Sequence, residues 1–222
     1  MNFLPKDKSI AQRCAVLGLD FNQDYLGEDV KSTVEAVKQF NQNLGSTTLD
    51  LGNSGTGIRL LSGYIAGSGK DCTLIGDKSL SQRPMNRIAE PLNSWGAEVS
   101  LKEQKFPPIM IKGTKLLPEF TYNLTIPSAQ IKSCLLLAAL SSKTKITIFE
   151  NIPSRDHTER MLEECGADIK RDGNKIILDG SIEIKKKFID VPKDFSSAAY
   201  LIAANILSKK DILLEGVGVN ST

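Results

Sequence analysis

Apolar positions along this chain follow two periods, helical and strand-like, and their order repeats. From Asn53, an apolar helical segment, Ile58 to Ala66, precedes a short strand, Cys72-Thr73-Leu74-Ile75, ending in Gly76-Asp77. A second helix, Met85 to Trp95, runs into Gly96-Ala97, and strands near Glu98–Leu101 and Pro108–Ile111 end at Gly113. From Ser128 the series returns. A helix, Ile131 to Ser141, and a strand, Ile146 to Phe149, lead to Glu150-Asn151. A second helix, His157 to Glu164, meets Gly166-Ala167, and strands near Asp168–Lys170 and Lys175–Leu178 end at Gly180. Matching markers are offset by 74 residues (Gly76 to Glu150), 70 (Gly96 to Gly166) and 67 (Gly113 to Gly180).

Parts of the unit also stand at either end. Ser9 to Leu17 reads as a first helix and Glu28 to Phe40 as a second, ending near Leu44-Gly45. Leu49-Asp50-Leu51-Gly52 already leads into the next unit, so the front unit has no room for a normal two-strand hairpin. At the tail, Ser196-Ser197-Ala198 opens an apolar helix to Leu207, with a strand expected at Ile212-Leu213-Leu214-Glu215-Gly216. The first helices, Ile131 to Leu140 and Ala198 to Leu207, are apolar nearly all round and are expected in the interior, parallel and related by approximate threefold symmetry. The second helices are mixed and belong nearer the surface. The expectation is one α/β domain over 1–222, with buried helices inside and sheets outside. Its front unit covers about 1–50, the second about 51–120 and the third about 121–195, and a further unit begins at 196–222.

Composition narrows the function classes. Lys and Arg total 28 against 26 Asp and Glu, too even for a nucleic-acid binder working by bulk charge. The longest apolar runs, Cys134 to Leu140 among them, are far short of a membrane span. The N-terminus carries no apolar signal region, which points to the cytoplasm. Cys14, Cys72, Cys134 and Cys165 form no CxxC pair and read as reduced, small hydrophobes. One isolated histidine, His157, is a poor basis for a zinc site.

The candidate chemistry sits where the first helices begin: Lys8-Ser9, Gly52-Asn53-Ser54-Gly55-Thr56, Ser128-Ala129-Gln130 and Ser196-Ser197. Small hydroxyl residues and glycine leave backbone N–H groups free to meet an anion. For any one helix, ordinary N-capping explains them. Several such ends gathered by a repeat point to a shared anion site. Lys8, Arg13, Arg59, Arg83, Arg87 and Arg155 supply cations nearby, with Arg13 and Arg59 about one helical turn inside their helices. No Ser-His-Asp order or P-loop spacing is present.

Five segments together resemble the 5-enolpyruvylshikimate-3-phosphate synthases of the enolpyruvyl transferase family. They are Asp7-Lys8-Ser9-Ile10-Ala11-Gln12-Arg13, Gly52-Asn53-Ser54-Gly55-Thr56-Gly57-Ile58-Arg59, Gly76 through Met85, Pro127 through Ser133, and Ser154-Arg155-Asp156-His157-Thr158-Glu159-Arg160-Met161-Leu162. The resemblance covers essentially this whole chain and about the first half of a family member. It implies an α/β fold of repeated βαβαββ units with pseudo-threefold symmetry. It also implies enolpyruvyl transfer from phosphoenolpyruvate to the 5-hydroxyl of shikimate 3-phosphate, with no metal or organic cofactor. By the same resemblance, Lys8 contacts phosphoenolpyruvate and takes part in proton transfer, as the catalytic residue. Gly55, Arg83 and Gln130 also hold phosphoenolpyruvate. Lys8, Ser9, Arg13, Ser128, Ala129, Gln130, Ser154, Arg155 and His157 line the shikimate 3-phosphate site.

Two departures stand out: Pro5-Lys6 where the family has Pro-Gly, and the short front unit. The family's second, C-terminal domain, which completes the phosphoenolpyruvate clamp, is expected as the missing partner. The isolated chain is therefore expected to be inactive. Two other readings stay open: a non-catalytic anion-binding remnant, and a domain like the enolpyruvyl transferases that act on UDP-N-acetylglucosamine.

Overall fold

In a computed structural model, residues 4–42, 46–185, 187–209 and 211–219 are described. The helices are α1 (Lys8–Leu17), α2 (Glu28–Gln42), α3 (Gly55–Ser68), α4 (Asn86–Ser94), α5 (Ala129–Ser142), α6 (His157–Glu164) and α7 (Phe195–Ser208). The strands are β1 (Asp20–Phe21), β2 (Thr47–Asp50), β3 (Cys72–Ile75), β4 (Glu98–Lys102), β5 (Phe106–Lys112), β6 (Glu119–Leu124), β7 (Lys145–Glu150), β8 (Asp168–Asp172), β9 (Lys175–Asp179) and β10 (Phe188–Ile189).

Two sheets have the same construction. One runs β2-β3-β5-β4 and the other β6-β7-β9-β8, each with a parallel first pair and antiparallel remaining pairs. The repeat is therefore βαβαββ. Its leading strand is a real element of each unit: Glu119–Leu124 alternates between exposed and more buried positions beside β7. The last marker of the repeat has a steric cause. A Cβ on Gly113 would overlap the Gly69 carbonyl at the end of α3, and one on Gly180 would overlap the Ala139 carbonyl of α5. Both sheets press their last strand's end against a central helix, and only glycine permits that approach.

The front unit is a half-built version of the same scheme. β10 and β1 pair in parallel, as β2 with β3 and β6 with β7, so the leading strand of the first unit comes from the far end of the chain. Only residues 43–46 separate α2, which reaches Gln42, from β2, which begins at Thr47, too few for a two-strand hairpin. The helix end expected at Leu44-Gly45 lies outside the described residues. Lys6 adopts no positive φ, and its amide donates to the Tyr25 carbonyl at 3.3 Å, so the turn into α1 forms without glycine.

Burial follows the expected division for the first three units. Along α5 every residue from Ile131 to Ala139 is buried, while α2, α4 and α6 bury one face. The core gathers α1, α3 and α5 with the inner faces of both sheets, and all four cysteines are buried free thiols. Two expectations fail at the tail. α7 is not interior: Ala198 is its one buried residue, and Tyr200, Ile206 and Leu207 are 80%, 70% and 85% exposed. An all-apolar helix is buried only where neighbours surround it, and no sheet among the described residues covers α7. Residues 212–216 form no strand, and Leu213 is exposed. Val217, just beyond, makes one isolated parallel bridge to Lys193.

Candidate active site

The first helix of each unit, α1, α3, α5 and α7, begins with a residue whose side chain accepts a backbone N–H of its first turn. Asp7 takes the Ile10 amide (3.0 Å), Ser54 that of Gly57 (3.1 Å), Ser128 that of Ile131 (3.4 Å) and Asp194 that of Ser197 (2.8 Å). Capping and anion binding are compatible here, because a cap satisfies one donor of a turn that has several. Four helix starts meet at one cavity of about 320 Å³. Its lining includes Lys8 and Ser9 of α1, Gly55 and Thr56 of α3, Ala129 and Gln130 of α5, and Ser196 of α7. Arg13, Arg59, Arg83 and Arg155 complete its cationic side, and His157, Asp7, Asp29 and Asp194 also face it.

The walls are tied to one another. Arg13 is 3% exposed and joins three helices. Its Nη1 donates to the Ser9 carbonyl (2.7 Å), its Nε to Thr158 Oγ1 (2.6 Å) and its Nη2 to Ser133 Oγ (3.0 Å). Burial pulls its pKa down to about 10, which leaves it a cation at neutral pH. On the opposite wall, Arg59 donates to the carbonyls of Gly55 (2.8 Å) and Pro84 (3.1 Å). Arg83 donates to Asn53 Oδ1 at 2.7 Å. Burial, followed by the charges of Arg83 and Arg87, lowers the Arg59 pKa. Gln130 Nε2 joins the two walls through Thr56 Oγ1 at 3.0 Å. Lys8 Nζ lies 3.4 Å from Asp29 Oδ2.

Nine of the eleven residues that the resemblance assigns to the two substrate sites therefore line one cavity: Lys8, Ser9, Arg13, Gly55, Arg83, Ala129, Gln130, Arg155 and His157. Ser128 and Ser154 stand beside it. Ser128 caps α5, and Ser154 directs both its amide and its hydroxyl to Glu150. Arg87 is exposed and outside the lining. Sequence reasoning missed Asp29 and Asp194, and it missed Lys132. That lysine is fully buried within 2.8 Å of both Glu150 and Glu159. The signal was a lysine inside an otherwise apolar helix, which requires carboxylate partners when buried. Among the described residues no group of His, Cys, Asp and Glu could hold a metal ion, and no helix is long and apolar enough to cross a membrane.

His157 offers a pH test. Burial, then the charges of Arg13 and Arg155, lower its pKa, and its Nε2 is buried without a partner. The unfolded chain binds that proton more readily, so stability is complete above about pH 6.5 and falls as pH drops through the depressed value. A His157→Asn chain should show a flatter dependence of thermal midpoint on pH between about 7 and 5. An unchanged slope would remove His157 as its source.

A repeated βαβαββ fold whose helix starts and arginines share one cavity is that of an enolpyruvyl transferase-type domain. The comparisons specify the family. A family model described as EPSP synthase (3-phosphoshikimate 1-carboxyvinyltransferase) matches residues 8–222. The 3-phosphoshikimate 1-carboxyvinyltransferase of Methylococcus capsulatus is 39% identical over 246 residues, covering 99% of this chain and 56% of the relative. That of Ruthia magnifica is 42% identical over 245 residues, again covering 99% and 56%. A solved EPSP synthase from Acinetobacter baumannii superimposes with a TM-score of 0.85 at 34% identity, covering 99% of this chain and 56% of that one. The chain belongs to the EPSP synthase family and spans about half the length of these relatives. The alignments are longer than the 222 residues present, so the relatives carry residues within the matched region that this chain lacks.

Proposed function

We propose that this chain is the repeat-built half of an EPSP synthase that binds shikimate 3-phosphate. It would serve transfer of the enolpyruvyl group from phosphoenolpyruvate to the 5-hydroxyl of shikimate 3-phosphate, in the cytoplasm and without metal or organic cofactor. Three units, about 1–50, 51–120 and 121–195, and the start of a further unit, 196–222, form one domain, and the family's second domain is its missing partner. The observation that carries the reading is the convergence of four helix starts and five Lys or Arg side chains on one cavity. Two anionic substrates repel each other, and fixed cations and helix dipoles offset that repulsion.

The roles are those the family resemblance implies. Lys8, Ser9, Arg13, Ser128, Ala129, Gln130, Ser154, Arg155 and His157 would hold shikimate 3-phosphate. Lys8, Gly55, Arg83 and Gln130 would hold phosphoenolpyruvate, with Lys8 as the catalytic residue. Calorimetric titration of shikimate 3-phosphate tests this. Arg13→Ala and Arg155→Ala should each weaken binding by about 1.5–3 kcal/mol, the worth of a charge-assisted hydrogen bond. Unchanged affinity in both, with the unsubstituted chain binding measurably, would remove the assignment. A Cβ on Gly55 would stand 2.7 Å from Arg83 Nη1. Gly55→Ala should therefore displace Arg83 while leaving shikimate 3-phosphate binding within about twofold. A large loss of that binding would place Gly55 on the wrong wall.

A further inference from the structure

Lys132, Glu150 and Glu159 are 0%, 7% and 2% exposed, and none of them lines the cavity. Lys132 Nζ lies 2.8 Å from Glu150 Oε2 and 2.8 Å from Glu159 Oε1. Removing three charges from water is costly, and an apolar trio of similar volume would fill the space without that cost. What the charged trio adds is geometry. The second oxygen of Glu150 accepts both the amide (3.1 Å) and the hydroxyl of Ser154. Lys132 Nζ also reaches the Ser154 carbonyl at 3.4 Å. Ser154 is thus held through its N–H, its O–H and its C=O. The next residue is Arg155, then Asp156, then His157, and the first and last of these reach the cavity. Farther along the segment, Glu159 holds Lys132 from α6 and Arg171 of β8 at 3.2 Å.

We infer that Glu150, anchored by Lys132, is a positioning residue that fixes the 151–157 turn so that Arg155 and His157 face the anion cavity. Lys132 stands one turn inside α5, whose first residues, Ala129 and Gln130, form the adjacent wall. One buried cation therefore sets the distance between the helix start and the turn. The inference rests on the proposed shikimate 3-phosphate site and adds residues that touch no ligand.

The test is a double-mutant cycle read by calorimetric titration of shikimate 3-phosphate, using the full 222-residue chain. Glu150→Gln should weaken binding about tenfold, and in an Arg155→Ala/His157→Ala background it should cost less than about threefold. If Glu150→Gln folds poorly, Lys132→Met/Glu150→Gln removes both charges of that pair, leaves Glu159 with Arg171, and is read instead. Its thermal midpoint should recover while its affinity stays low. Three results overturn the inference. Glu150→Gln or the double variant binding like the unsubstituted chain, while Arg155→Ala binds weakly, removes the positioning role and leaves the site reading intact. Equal losses in both backgrounds show that Glu150 does not act through Arg155 and His157. No binding by the unsubstituted chain, or no effect of Arg155→Ala, removes the site reading and this inference with it.

Discussion

Gly63→Val is expected to destabilise the chain by about 3 kcal/mol, and Gly63→Ala by about 2 kcal/mol, the range for overpacking a close-packed core. Intrinsic preference argues the other way, since alanine favours a helix interior over glycine by roughly 1 kcal/mol. Packing decides the sign. A Cβ on Gly63 would overlap the Cys134 carbonyl, and one on Gly67 would overlap the Ala138 carbonyl. Glycines one turn apart on α3 thus let its backbone lie directly on α5, and Ser141 Oγ donates to the Tyr64 carbonyl in the same interface. Neither partner is a flexible side-chain end, so α3 and α5 must move apart. Gly69→Ala is the control: nothing lies within 4 Å of its Cβ position, and the cost there comes from a φ of +72°. That substitution should cost about 1 kcal/mol. Urea midpoints read both effects, and a Gly63→Ala chain as stable as the unsubstituted one would defeat the packing argument. The same separation would spread the starts of α3 and α5, which form adjacent walls of the cavity.

Local pattern carried the fold wherever local forces decide it. β3 at Cys72–Ile75 and α6 at His157–Glu164 coincide with the segments read from periodicity. The glycines that mark the repeat proved to be places where a sheet meets a helix end, as at Gly113 and Gly180. The failures come from non-local information. The pattern of α7 is that of a core helix, yet burial depends on what surrounds it, and no sheet among the described residues does. β10 pairs with β1 across 168 residues at Asp20 and Phe188, and two-residue strands give no periodicity to read. Within the candidate site, most of the residues that line the cavity were legible because helix starts and arginines have a local signature. Asp29, Asp194 and the Lys132 trio were not, since each acquires its role from partners distant in sequence.

The largest functional effect is expected in a turnover assay: the purified chain should bind shikimate 3-phosphate and release no phosphate from it and phosphoenolpyruvate together. The cavity is open, and its carboxylates are already engaged. Asp7 and Asp194 cap α1 and α7, and Asp29 faces Lys8 at 3.4 Å. Lys8 is the one group assigned to proton transfer, and it needs both substrates held in line beside it. Orientation of two reactants supplies roughly 7–11 kcal/mol of a barrier, and excluding water strengthens every charge that steers them. A single open wall provides neither in full. The relatives' length outside the match is where the family's second domain would close over the cavity. Supplying that domain from a relative should raise phosphate release above background, and Lys8→Ala should abolish the gain. Sustained turnover by the 222-residue chain alone, lost in Lys8→Ala, would overturn the half-site reading, because one wall would then suffice for the chemistry.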